Sequence, residues 1–237
     1  GKQVKQLHLY TCLRFYVPTC LPVYLPTFLP SHIMLNIFLI ITSSLIWSVV
    51  HSVTASHAAK ALARKYFGAR HADGLYRLLY NIISIITFLP LMAVAAILPD
   101  QPLYRFPDWM IPFAILIQVI CVIAVLLAVI QVDLWSFVGL RQLLRWLESA
   151  NNPDSPAPLI RSGLYAFMRH PIYFFSLVAL WLMPAMSLNT FTLFVCFTIY
   201  FWVGSIFEER KLVAEFGEEY KQHQRNVPRI VPFTNWW

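Results

Sequence analysis

The sequence predicts an all-α, polytopic membrane protein with about five transmembrane helices, the fourth and fifth forming a hairpin. Three observations lead there. The 237 residues are 59% hydrophobic and only 12% charged, with a mean hydropathy of +0.62, about half the charge of a soluble domain. The apolar residues gather into runs long enough to cross about 30 Å of hydrocarbon at about 1.5 Å per helical residue. Lysine and arginine concentrate on alternate connections between those runs, the pattern of a chain sorted by the positive-inside rule.

Residues 1–32 carry a basic start and prolines at 18, 22, 26 and 30, which break any helix through their second half. They lack the small-residue cleavage site of a signal peptide. They read as an N-terminal extension outside the core, leaving 33–237 as the membrane domain. The first span covers Ile33 to Val50 and the second Leu78 to Leu98; the third, Ile111 to Val132, is the most apolar. Asn151 to Pro158 (NNPDSPAP) is a turn-rich linker in an exposed loop. Pro171 opens a shorter fourth span ending near Met186, and Leu188 to Phe207 makes the fifth. So few residues separate the last two that they must run antiparallel.

Fourteen of the eighteen basic residues fall on the first loop, the third loop and the C-terminal tail. With the N-terminus outside, these three segments face the cytoplasm, and polar chemistry should collect there, in a bacterial inner membrane. The net charge of +7 is scattered between spans, so no nucleic-acid surface is expected. Seven glycines without a G-x-G arrangement exclude a Rossmann fingerprint and a P-loop. Cys121 and Cys196 lie in separate spans, Cys12 and Cys20 in the extension, and no metal spacing or disulfide framework emerges. His51, His57 and His71 group in the first-loop region with no histidine mid-span, which argues against bis-histidine haem. Ionisable residues are nearly absent at mid-membrane depth, which argues against a transporter.

Two segments carry candidate chemistry. In RSGLYAFMRHPIY (161–173), Pro171 suits the first turn of a helix, where its missing N–H costs nothing. Arg169 and His170 then sit at the positive end of the helix dipole, beside free backbone donors, a place for a carboxylate. The competing reading is an interfacial arginine with a capping histidine. The second segment holds five of the six glutamates. Glu208 and Glu209 directly follow the fifth span, where paired carboxylates are costly without a cation; Glu215, Glu218 and Glu219 are explained by ordinary helical ion pairs. An anion-friendly helix start and a cation-friendly acid pair on one rim suit an amino-acid zwitterion.

The joint pattern R-H-P-x-Y, E-E-x-x-L-x-x-x-F-G-x-x-Y and V-P-R-x-x-P resembles the integral-membrane methyltransferases of the isoprenylcysteine carboxyl methyltransferase type. His51-Ser52 with Ala55-Ser56, Tyr76 to Asn81, Asp133-Leu134-Trp135 and Gly139 to Gln142 look like the methanethiol S-methyltransferase and NnrU group, so the resemblance spans roughly residues 33 to 233. It implies a five-span enzyme that binds S-adenosyl-L-methionine at the cytoplasmic face, needs no metal, and takes a small or lipophilic acceptor, a thiol among them, from the surrounding membrane lipids. By the same resemblance Arg169, His170 and the backbone at Pro171 contact the cofactor, Tyr165 and Tyr173 line its pocket, and Glu208 and Glu209 hold its amino group. Arg229 would orient an acceptor or the cofactor carboxylate, with a lipid phosphate as the alternative. His51, at the end of span one, is the candidate base for a thiol, or else an interfacial polar residue. Two positions depart from the pattern: Phe174, Phe175 and Ser176 replace a frequent glycine and would narrow the cleft, and His223 stands where a second tyrosine is usual. A non-catalytic NnrU-like accessory protein is the alternative function.

Overall fold

The computed structural model describes residues 31–148 and 158–234; the readings made for residues 1–30 and for the linker at 151–157 fall outside them. The elements in order are α1 (Ser31–Thr54), α2 (His57–Phe67), α3 (Ala69–Ile97), β1 (Pro102–Arg105), α4 (Ile111–Gln131), α5 (Leu134–Val138), α6 (Leu140–Leu147), a 3₁₀ turn (Gly163–Ala166), α7 (Pro171–Trp181), β2 (Ala185–Ser187), α8 (Leu188–Phe216) and α9 (Glu218–Asn226).

Among the described residues, four helices, α1, α3, α4 and α8, are long and apolar enough to cross a bilayer, and the chain is an all-α integral membrane protein. Its side chains are sorted for lipid. Phe38, Ile86, Phe113 and Ile123 point outward, whereas the buried positions of the spans include Asn36, Ser44, Ala114, Ala124, Ala128 and Ser205. Small and polar residues at helix contacts are what association in hydrocarbon favours, because large apolar groups gain nothing by leaving lipid.

The expected fourth span is shorter than the sequence suggested. α7 has 11 residues, about 16 Å, and stops at Trp181. Pro184 explains the stop, since its ring would clash with the carbonyl four residues back and it biases Met183 away from helix. The chain continues into β2, which pairs antiparallel with β1, a two-stranded ladder not expected from the residue pattern. α7 and α8 are antiparallel, as predicted, with Trp181 against Phe194 at one end and Tyr173 stacked on Phe201 nearer the other. α8 also differs: it runs 29 residues without a break, so the helix extends well past Phe207.

Polar contacts pin both ends of the bundle. At one end, Asn36 donates to the Pro99 carbonyl at 2.7 Å, and the backbone N–H of Asn189 donates to Asp100 at 3.0 Å. At the other, the Tyr76 hydroxyl donates to Thr54 O at 2.6 Å, Lys211 Nζ reaches Ala55 O at 3.3 Å, and Arg161 pairs with Glu219 at 2.9 Å. α5 and α6 fold under α3, where Asn81 donates to Val138 O at 2.8 Å. Gly139 makes this possible: its φ is +94°, and a Cβ would lie 2.6 Å from Leu78 N. The first loop, third loop and tail, which hold most of the basic residues, thus share one end.

Candidate functional site

The site is built at that basic end, where the start of α7 meets the far part of α8. Leu188 to Glu208 is twenty-one residues, about 30 Å of helix, so the two acids emerge where the hydrocarbon ends. Pro171 occupies the first turn of α7 and His170 its N-cap. The backbone amides of Arg169 and His170 do not stand free, as the helix-dipole reading had them. They donate to the carbonyls of Pro228 (2.9 Å) and Arg229 (3.0 Å), splicing the R-H-P segment to the V-P-R segment.

The adjacent glutamates have separate environments. Glu209 is buried and gathers four partners: Oε1 lies 2.9 Å from Arg169 Nε and 3.3 Å from His170 Nε2, while Oε2 accepts from Gln224 at 3.0 Å and lies 3.7 Å from Arg229 Nε. The Arg169 and Arg229 Nε–H groups have no aligned hydrogen-bond acceptor among the described residues, so these are charge contacts rather than directed bonds. Glu208 is half exposed; it accepts from the Tyr173 hydroxyl at 2.8 Å and lies 3.5 Å from His170 Nδ1. Burial disfavours the His170 imidazolium, but the hydrogen bonds and charges of Glu208 and Glu209 outweigh it and raise its pKa above 6.5. Desolvation dominates at Arg169 and lowers its pKa, with the Glu209 carboxylate opposing. Burial, with Glu208 nearby, raises the Tyr165 phenol well above its usual range.

Flat side chains line the approach. His170 stacks on Tyr173 at 5.2 Å and Tyr173 on Phe201 at 4.9 Å, while the Arg229 guanidinium lies 5.5 Å over Trp202. Phe174 and Phe175 pack edge to face on each other at 5.2 Å. On the other side of Glu209 lies a cleft of about 310 Å³ bounded by Arg169, Lys221, Gln224, Arg225 and Arg229.

Arg169, His170, Pro171, Tyr173, Glu208, Glu209 and Arg229 therefore converge, with Tyr165 close behind. His51 stands apart from the charges, in α1 rather than in a loop. His57 begins α2 and His71 lies in α3, so the first-loop histidines are helical. Gln224 and Trp202 complete the cluster without having been singled out, beside Tyr220 of the F-G-x-x-Y motif. The spacing of Tyr220 and Gln224, one helical turn apart on α9, was the available signal. His223 is buried beside Tyr220.

A family model described as NnrU protein matches residues 39–236. Methanethiol S-methyltransferase 1 of Bradyrhizobium diazoefficiens is 38% identical over 97 residues, 40% of this chain and 33% of that protein. Methanethiol S-methyltransferase of Mycobacterium tuberculosis is 25% identical over 192 residues, 80% of this chain and 75% of that protein. Nurim of Rattus norvegicus is 25% identical over 174 residues, 71% and 64% of the two chains. The match covers only 33% and 40% of the lengths of the Bradyrhizobium protein and of its Pseudomonas deceptionensis namesake. No solved structure matches. Because the family match runs through the spans and through every residue of the charged cluster, the chain belongs to the NnrU protein family.

Proposed function

We propose that this chain is an S-adenosyl-L-methionine-dependent methyltransferase of the bacterial inner membrane, acting at the cytoplasmic face on a small, lipophilic thiol. The observation that carries the reading is the split of the acid pair: Glu209 neutralises a buried cationic cluster, while Glu208 keeps a half-exposed carboxylate beside Tyr173. A zwitterion suits this rim. Its ammonium finds Glu208, and its carboxylate finds the guanidinium groups of Arg169 and Arg229 that border the cleft. The likeness to proteins named methanethiol S-methyltransferase supports a thiol as acceptor. The basic first loop, third loop and tail support a cytoplasmic site. Residues 33–237 make up the functional domain in this reading.

When bound, the cofactor supplies an electrophilic methyl group on a sulfonium whose positive charge disappears on transfer. The protein's part is orientation and exclusion of water. Glu208, held by Tyr173, fixes one end of the ligand, and Arg229, braced on Trp202, fixes the other. Tyr165 and the stacked Tyr173 and Phe201 give a dry, weakly polar wall that favours loss of charge. Glu209 and Gln224 keep Arg169 and His170 from collapsing into that space.

Isothermal titration of the purified protein with S-adenosyl-L-methionine, followed by transfer of labelled methyl to methanethiol in membranes, tests this. Binding and label transfer, both weakened in Glu208→Gln, are expected. Absence of binding refutes the reading, and binding without transfer to any thiol favours the accessory role.

A further inference from the structure

A second cleft, of about 300 Å³, adjoins the one beside Arg169 and is bordered by Ile206, Glu209, Arg210, Val213, Gln224 and Arg229. The two share Glu209, Gln224 and Arg229, whereas Ile206, Arg210 and Val213 border the second alone and all belong to α8. They continue an outward stripe of that helix. Ile199, Trp202, Val203 and Phe207 are exposed, and with Ile206 and Arg210 they recur every three or four residues, which is one helical face. The face is apolar up to Arg210, as a surface against lipid must be.

Its depth matches the lipid phosphates. With Glu208 at the edge of the hydrocarbon, a rise of about 1.5 Å per residue puts Ile206 about 3 Å inside, Arg210 about 3 Å beyond and Val213 about 7 Å beyond. The headgroup layer on each side of the core is about 5–7 Å thick, so the cleft straddles the boundary between chains and headgroups. Arg210 is exposed and has no carboxylate partner among the described residues; its guanidinium lies 5.4 Å from the Phe207 ring. Arg229 lies 5.5 Å over Trp202. Glu209 is the one acid on the cleft wall, and Arg169, 2.9 Å away, offsets its charge, so the two guanidinium groups leave the cleft positive. Both Glu209 oxygens already face Arg169, His170, Gln224 or Arg229, which leaves no open carboxylate for a headgroup ammonium.

We propose that this cleft binds the phosphodiester of an anionic phospholipid whose headgroup carries no amine, with Arg210 and Arg229 gripping the phosphate and Ile206 against the start of the acyl chains. Planar guanidinium forks suit phosphate oxygens. The site requires only the fold and the bilayer, so it stands independently of the methyltransferase reading. Arg229 also borders the cofactor cleft; Arg210 does not, and it therefore carries the test.

Native mass spectrometry of the full chain in neutral detergent, titrated with phosphatidylglycerol or phosphatidylethanolamine of the same chain length, gives the affinity of the first lipid adduct. Phosphatidylglycerol should bind at least about tenfold more tightly, and an excess of inorganic phosphate should not displace it. Arg210→Gln should weaken phosphatidylglycerol about tenfold, and Val213→Glu, which sets a carboxylate in the cleft, should do so as strongly. Lys65→Gln removes an exposed charge from α2 and should change nothing. Equal affinity for the two lipids, unchanged affinity in Arg210→Gln, or the same loss in Lys65→Gln overturns the site in favour of diffuse attraction to the basic surface. Displacement by inorganic phosphate overturns the lipid assignment in favour of a free anion. All of these outcomes leave the cofactor titration to be judged by itself.

Discussion

Neutralising the two neighbouring glutamates one at a time should produce opposite defects. The Glu209 side chain is 9% exposed and faces Arg169, which is 3% exposed, at 2.9 Å. Glu209→Gln keeps the shape but takes the carboxylate from the buried Arg169 and leaves His170 with Glu208 alone. Breaking a buried ion pair from one side costs about 3–5 kcal/mol, which at about 2–4 °C per kcal/mol for a chain of this length lowers the melting midpoint by about 6–20 °C. Glu208 is 47% exposed, and an amide in its place still accepts from Tyr173. Glu208→Gln should therefore cost under about 1 kcal/mol of stability. Its defect belongs to the ligand: losing a charged hydrogen bond worth about 1.5–3 kcal/mol weakens cofactor binding about 10- to 100-fold. Tryptophan fluorescence melts in detergent, paired with isothermal titration, read both effects. Equal melting shifts for the two variants, or the larger shift in Glu208→Gln, would refute the division of roles.

Three further outcomes follow from the same contacts. Because Glu208 and Glu209 raise the His170 pKa against the pull of burial, that histidine stabilises the fold below pH 6.5, and the contribution fades as pH rises through its folded value. His223 opposes it, since burial, then Arg169 and Arg161, lower its pKa, so its effect is to lose stability as pH falls below 6.5. In His223→Gln, melts from pH 5.5 to 8.5 should show stability falling with rising pH, and a rising curve would contradict the His170 assignment. Arg229→Lys should weaken cofactor binding about tenfold by titration, because an ammonium neither stacks on Trp202 nor offers a planar fork; unchanged affinity would remove Arg229 from the site. Gly139→Ala should destabilise the protein by at least about 1–3 kcal/mol in the same melts, from the strained φ and the 2.6 Å approach to Leu78 N; a wild-type midpoint would mean the α5–α6 turn is placed otherwise.

What could be read from the sequence was whatever depends on local order. Spans one to three follow from apolar length, the start of α7 from Pro171, and the rim position of the acids from the end of the apolar run. The contacts that turn these pieces into a site are long-range and leave no local trace. The amides of Arg169 and His170 meet carbonyls about sixty residues away, and Gln224 reaches Glu209 only because the chain turns between α8 and α9. β1 is exposed along its whole length, so it lacks the alternation that announces a strand. His51 reads only as a span-end residue because its partners, Tyr80 and Ser84, belong to the next span.

Helix geometry explains why the two acids must be neighbours. Consecutive residues on an α-helix point about 100° apart, so a single turn at the end of α8 can address two sectors at once. Glu208 faces α7, where Tyr173 meets it. Glu209 faces α9 and the V-P-R segment, where Gln224 and Arg229 meet it. His170 lies between the sectors and touches both carboxylates, one with each ring nitrogen. A separation of three or four residues would place both acids on one face, competing for the same cations, and leave the other sector uncharged. The adjacent pair thus anchors the R-H-P and V-P-R segments with one carboxylate while the second stays available at the edge of the hydrocarbon. Shifting Glu209 one turn later along α8 should accordingly abolish the fold of the cluster even though the charge of the chain is unchanged.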